Sequence, residues 1–165
     1  MSYWKDFVLG CIDLETHPES AFEFGPPASA DELSKINERC SIPIPDDLLA
    51  LLNEFNGLSF VDGSSREPIL FSTTEMLEAI QYYRNWDVPT DRLINWSNDI
   101  LYLSQTNGFA MMQGLLVKDL DSFKAGALLE FDHDNIENAG SPVGLFRVCE
   151  GDLATLIQNA TIDYC

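Results

Sequence analysis

Few residues in this chain have the chemistry of a catalytic or metal site. The two histidines are His17, in THPES, and His133, in FDHDNIE. The THPES composition predicts a loop, and His17 reads as a solvated surface histidine. Around His133, Asp132, Asp134 and Glu137 invite a calcium reading, but an EF-hand loop needs Gly at its sixth position and Glu at its twelfth. Counted from Asp132, those positions hold Glu137 and Val143, so an acidic turn after a strand is the favoured reading. Cys11, Cys40, Cys149 and Cys165 are scattered, with no CxxC and no metal-ligand spacing. A nucleophilic thiol needs positive surroundings to lower its pKa, and such surroundings are scarce in a chain this acidic. No GxGxxG, Walker loop, GxSxG elbow or HExxH occurs, and carboxylates are too abundant for one pair to stand out as acid and base. The expectation is a non-enzymatic protein with no catalytic residues, no metal and no cofactor.

Charge is the outlying property. In 165 residues, 27 Asp+Glu face 9 Lys+Arg, a formal net charge of -18. A field of that sign repels phosphate backbones and anionic head groups, so direct nucleic-acid and membrane-surface binding are not expected. A basic protein partner is expected instead, although acidic residues also serve plain solubility. Between Asp119 and Glu137 lie six acids, Asp119, Asp121, Glu130, Asp132, Asp134 and Glu137, against Lys124 alone. The first 25 residues hold five acids against Lys5, and after Arg147 there are three acids and no base. If strand ends and loops gather these acids, they form a surface suited to a basic cleft, with exposed aromatics as anchors. Trp86 and Trp96, flanking the segment between them, are the candidates, with core packing the favoured reading for Trp96.

These residues must be positioned by short elements. Length and a hydrophobic content of 45% fit one globular domain, with a possible division into an N-terminal extension, 1–28, and a domain, 29–165. Trp4, Phe7, Val8 and Cys11 recur at helical spacing, and GPPAS (Gly25 to Ser29) then supplies the only linker-like composition. Ser29 and Glu32 form a capping-box signature ahead of Leu33, Ile36 and Cys40. In IPIPDDLLALLNEFNG, Pro45 suits the first helical position, Asp46 and Asp47 favour the helix dipole, and Leu48, Leu51, Leu52 and Phe55 form one face. Asn56 and Gly57 tolerate a left-handed exit. LSFVDG and EPILF read as strands about Asp62-Gly63. Ser72 and Glu75 open a helix through Met76, Leu77, Ile80 and Tyr83 that ends before Pro89. ILYLS, the FAMM and GLLV runs, ALLEF and VGLFRV read as strands, with Asn107-Gly108 a hairpin signal. Asp152 caps a final helix carrying Leu153, Leu156, Ile157 and Ala160. The fold class expected is α+β: N-terminal helices, a central, mainly antiparallel sheet and a C-terminal helix.

This pattern resembles the SUKH superfamily, named in part for the yeast Smi and Knr cell-wall regulators. Ile42, Pro43, Ile44, Pro45, Asp46, Leu49, Leu52, Phe55, Asn56 and Gly57 match a Leu-Pro, acidic, Leu-Leu, Asn-Gly run. The element order that follows also fits, over roughly Ser29 to Ala160. Two departures concern subfamily: GDLATLIQNA lacks the usual Ser-Phe, and the strand after Ile100 lacks a Gly- and Asp-rich stretch. The resemblance implies an immunity protein that neutralises a cognate bacterial toxin domain, many such toxins being nucleases. The partner would then be a basic toxin domain, occluded stoichiometrically through Asp119, Asp121, Glu130, Asp132, Asp134, Glu137 and Trp86. The alternative is a regulatory or scaffold adaptor of Smi/Knr type, and a third, weaker reading is a calcium-responsive binder using FDHDNIE. MSYWKDFVLG lacks the basic and apolar regions of a signal peptide and no run approaches the ~20 residues that span a bilayer, so a cytoplasmic location is expected. The oligomeric state is left open.

Overall fold

The computed structural model describes residues 3–40, 42–83, 96–106, 111–120, 123–132, 146–148 and 151–164, with backbone alone at a few of them. Helix α1 (Tyr3–Gly10) and a 3-10 turn (Glu19–Ala21) precede strand β1 (Phe22–Phe24). Helices α2 (Ala30–Asn37) and α3 (Asp46–Glu54), the hairpin of β2 (Leu58–Asp62) and β3 (Ser65–Leu70), and α4 (Thr73–Tyr83) follow. Then come α5 (Trp96–Asp99), β4 (Ile100–Thr106), β5 (Met111–Leu116), β6 (Leu128–Asp132), β7 (Phe146–Val148), α6 (Leu153–Ala160) and a 3-10 turn (Ile162–Tyr164). The strands form one antiparallel meander in the order β1 to β7, so the α+β expectation with a closing helix holds.

Local chemistry explains several of the boundaries. The Ser29 hydroxyl accepts from the Glu32 N–H while the Glu32 carboxylate accepts from the Ser29 N–H, closing the expected capping box of α2. Ser72 and Glu75 do the same for α4 at 3.2 and 2.7 Å, and Asp152 caps α6 through the Thr155 N–H. Helix α3 begins at Asp46, one residue later than expected, because Pro45 keeps an extended ψ of 143° and is the cap. At its exit Phe55 is an extended cap, and of the expected pair Asn56 and Gly57 it is Gly57, φ 94°, that is left-handed, where β2 is about to begin. A Cβ on Gly57 would stand 2.9 Å from the Ser72 nitrogen, so only glycine lets these backbones meet.

Three features depend on distant partners. The first is β1, whose pairing with β2 adds an edge strand that the sequence reading passed over. The second is GPPAS, linker-like in composition yet pinned along the end of α3. Gly25 N–H donates to Gly57 O, Asn56 N–H to Pro26 O and Ala28 N–H to Leu52 O, each within 3.0 Å. Prolines lack a donor but keep their carbonyls, and those suffice here. The third is α1, whose opening N–H groups at Trp4 and Lys5 donate to the Glu54 carboxylate at 3.0 and 2.6 Å. Trp4, Val8, Ile12 and Phe22 thereby join the same core as Leu52, Leu58, Leu116, Leu129 and Leu156.

The middle of the sheet is covered on both faces. On one, Tyr83 of α4 stacks on Tyr102 of β4 with ring centroids 4.5 Å apart, and Phe131 of β6 meets both rings. On the other, α3 and α6 lie over Leu103, Leu115 and Leu128 around a small cavity of about 130 Å³. An irregularity between Tyr102 and Ser104 turns the later part of β4 over relative to its start, so that Gln105 follows Tyr102 onto the α4 face.

Candidate functional site

Asp119 is an exposed turn residue. Its carboxylate accepts from the Ala125 N–H at 2.9 Å and the Lys124 ammonium at 2.7 Å. The Ala125 bond first and the lysine second hold its pKa below the ordinary value. Glu130 and Asp132 share one face of β6 with Leu128, alternating with the buried Leu129 and Phe131. On that face a polar row crosses three strands: Ser104 Oγ donates to Gln113 Oε1 at 2.5 Å, and Gln113 Nε2 donates to Glu130 Oε2 at 3.2 Å. Glu130 also stands opposite Arg147 in the β6–β7 register. Asp119 bonds near the Leu128 end of β6 and Asp132 closes the other end, about 13 Å along the strand. Asp121, Asp134, Glu137, Trp86 and His133 lie outside the described residues, and Trp96 is described only as the first residue of α5.

One sequence reading changes on contact with the packing. His17, read as solvated, is half-buried and packs edge-on against Phe60 and Tyr164, with centroids at 5.6 and 5.7 Å. The loop holding it is tied down by Asp13, whose carboxylate takes the Thr16 hydroxyl at 2.7 Å. Cys40 is half-buried as well, and burial pushes its thiol up to about 11, the opposite of what a nucleophile requires. Among the described residues, no group of three His, Cys, Asp or Glu side chains could hold a metal ion, and no helix is long and apolar enough to cross a membrane.

A wider concavity than the one under α3 and α6 lies elsewhere, between α4 and β3 to β5. Glu75, Glu78, Ala79 and Tyr82 recur at i, i+3, i+4 and i+7 and form its helical wall. Pro68 and Phe71 line it from β3 and the residue beyond, Gln105 and Met112 from paired positions on β4 and β5. The volume is about 500 Å³, within the range of ligand and side-chain pockets. Tyr83 forms the inner edge, and burial pushes its phenol well above the ordinary value. Tyr82 is half-exposed and meets Tyr83 edge-on at 5.2 Å.

The rim is negative. Glu75 is held by Ser72 and by Arg66 at 3.2 Å, and the same guanidinium also meets Glu23 at 3.2 Å. Glu78 is exposed. Among the described residues the groove combines an aromatic and aliphatic lining with one amide and two rim carboxylates, chemistry compatible with an apolar group that carries positive charge. The periodic apolar stripe of α4, through Met76, Ile80 and Tyr83, points to the core and not to this groove. The signal lies on the other stripe, where Ala79 and Tyr82 follow Glu75 and Glu78.

No protein-family model and no curated protein matches the chain.

Proposed function

We propose that the chain is an immunity protein that binds and neutralises a cognate bacterial toxin domain by stoichiometric occlusion, with an acidic surface set against a basic domain of nuclease type. The observation that carries this reading is the order of elements. Two capped helices with the Pro-Asp and Asn-Gly punctuation, a hairpin, a capped helix, a strand meander and a closing helix follow the order of the SUKH resemblance. They do so on a chain of net charge -18. Fold alone does not fix function. The charge adds an independent reason for a basic partner, and the α4 groove adds a concave, apolar place for one to dock.

The test is co-expression with the toxin encoded beside it. Growth rescue and a one-to-one complex are the expected outcome, in a cytoplasmic setting. Charge steering adds that the association rate drops by about tenfold or more between low and high salt. No rescue together with no measurable binding overturns the immunity reading. The adaptor reading would then gain from a partner that is a host regulatory protein.

A further inference from the structure

Gln105 is 5% exposed and lines the α4 groove, yet its Nε2 has no hydrogen-bond partner. Buried amide donors are almost always satisfied, so an unpaired one on the wall of a cavity points to an acceptor that arrives from outside. Ser59 Oγ is the other unpaired buried side-chain atom among the described residues. Its strand partner is Pro68, which lines the same groove, and paired residues share a face of the sheet. Both unpaired atoms therefore sit on the groove face.

The geometry points to a docking pocket for one large apolar side chain of a basic protein segment. That side chain packs against Phe71, Ala79, Tyr83 and Met112. The carbonyl of its own main chain accepts from Gln105 Nε2, and a neighbouring Lys or Arg reaches Glu78. The terminal torsion of a glutamine is soft, so the amide can turn toward such a carbonyl at little cost. A main-chain carbonyl is the acceptor that every peptide carries beside a side chain. The positive neighbour follows from the rim, where Arg66 is already shared between Glu23 and Glu75 while Glu78 stands exposed beside Tyr82. The inference deepens the function proposed above and rests on its reading of the chain as a binder of a basic protein.

The experiment uses the full chain, labelled with 15N, and three blocked probes: acetyl-Phe-Arg-amide, acetyl-Phe-Glu-amide and acetyl-Phe-amide. The Gln105 side-chain amide signals, assigned by their loss in Gln105→Leu, are followed by NMR. Acetyl-Phe-Arg-amide is expected to shift them at millimolar concentration, as suits so small a fragment. Acetyl-Phe-Glu-amide should bind about threefold or more weakly, and Glu78→Lys should reverse that preference. Ala79→Arg, which fills the groove, should abolish the shifts; Glu78→Lys, on an exposed site, serves if that variant unfolds. No shift with any probe overturns the proposal. Equal shifts with all three also overturn it, in favour of a neutral pocket for small apolar molecules. Failure is separable from failure of the immunity reading. If the probes do not bind but Ala79→Arg and Glu78→Lys still neutralise the toxin, the groove assignment falls alone. If the probes bind as expected and no toxin is neutralised, the groove stands and the toxin assignment falls.

Discussion

Replacing Asn56 by alanine should cost far more than the loss of a helix-exit residue. Asn56 is 9% exposed, and its Oδ1 accepts from the Thr73 N–H at 2.7 Å. Its Nδ2 donates to Thr73 Oγ1 at 2.9 Å and to Glu32 Oε1 at 3.3 Å. Thr73 is 1% exposed and opens α4, while Glu32 closes the capping box of α2. One side chain therefore wires two helix N-termini together. Each hydrogen bond contributes ~1 kcal/mol net, and stranding the buried Thr73 N–H adds ~1–3 kcal/mol, partly offset by relaxation. The expected loss is ~3 kcal/mol, which for a chain of this size lowers Tm by roughly 6–12 °C. Urea and thermal unfolding of Asn56→Ala measure it. Asn53→Ala is the control, since Asn53 is exposed and only bonds back to Leu49 O, and it should stay within ~0.5 kcal/mol of the parent. A loss below ~1 kcal/mol for Asn56→Ala would mean that the wiring does not matter and that Asn56 is no more than an exit residue.

Three further outcomes are expected. Glu54→Ala removes the cap of α1 and should destabilise by ~1–2 kcal/mol, with hydrogen-exchange protection lost first in residues 3–10. Gly57→Ala forces a positive φ on alanine and a contact with Ser72, and should cost ~2 kcal/mol or more in urea unfolding. Acid should weaken the fold in part through Glu32, Asp13, Asp119 and Asp152. Bonds to Ser29 hold Glu32 below its ordinary 4.5, and bonds to Thr16, to Ala125 and to Thr155 hold the three aspartates below 3.8. Their contribution is therefore complete above those ordinary values and lost as pH falls through the lower folded ones. Tm measured from pH 5.5 to 3 should fall chiefly below 4.5, with Glu32→Gln flattening the upper part of that fall.

What the sequence discloses follows the range of the interactions. Both capping boxes and the Asp152 cap are contacts between residues three apart, so residue type and spacing suffice to find them. The strand runs are legible because β4 and β5 are buried on both faces and carry near-continuous apolar residues. The edge strand β1 is not, since FEF is three residues long and becomes a strand only by pairing with β2, about 38 residues away in the Phe22–Phe60 register. Glu54 reaches Trp4 across 50 positions, and no local pattern announces that a carboxylate at the end of one helix caps another. His17 misled for the same reason, because the rings that shelter it come from β2 and from the turn after α6. The groove is the most distant of all. Its wall is a helix stripe that reads as surface, and its floor is assembled from three strands.

Acidic excess and acidic contact are separate properties, and the structure divides them. Lys5 meets Glu19, Lys35 meets Asp31, Arg66 meets Glu23 and Glu75, Lys118 meets Asp99, and Lys124 meets Asp119. An acid so engaged has its local charge offset, and in Asp119 it is also tied to a turn, so a partner gains little by touching it. The surplus acids still act at a distance, over roughly the 8–10 Å that physiological salt permits, and they speed encounter whatever their detailed placement. Affinity needs something else: a desolvated aromatic or aliphatic anchor with polar groups waiting for it. Among the described residues these ingredients come together where Tyr82 is half-exposed, Gln105 holds an unpaired donor and Glu78 stands exposed on the rim. On the function proposed above, a run of acids in sequence would then indicate only the sign of a partner's charge, while the place of contact would be set by the few polar groups whose bonding the fold leaves incomplete.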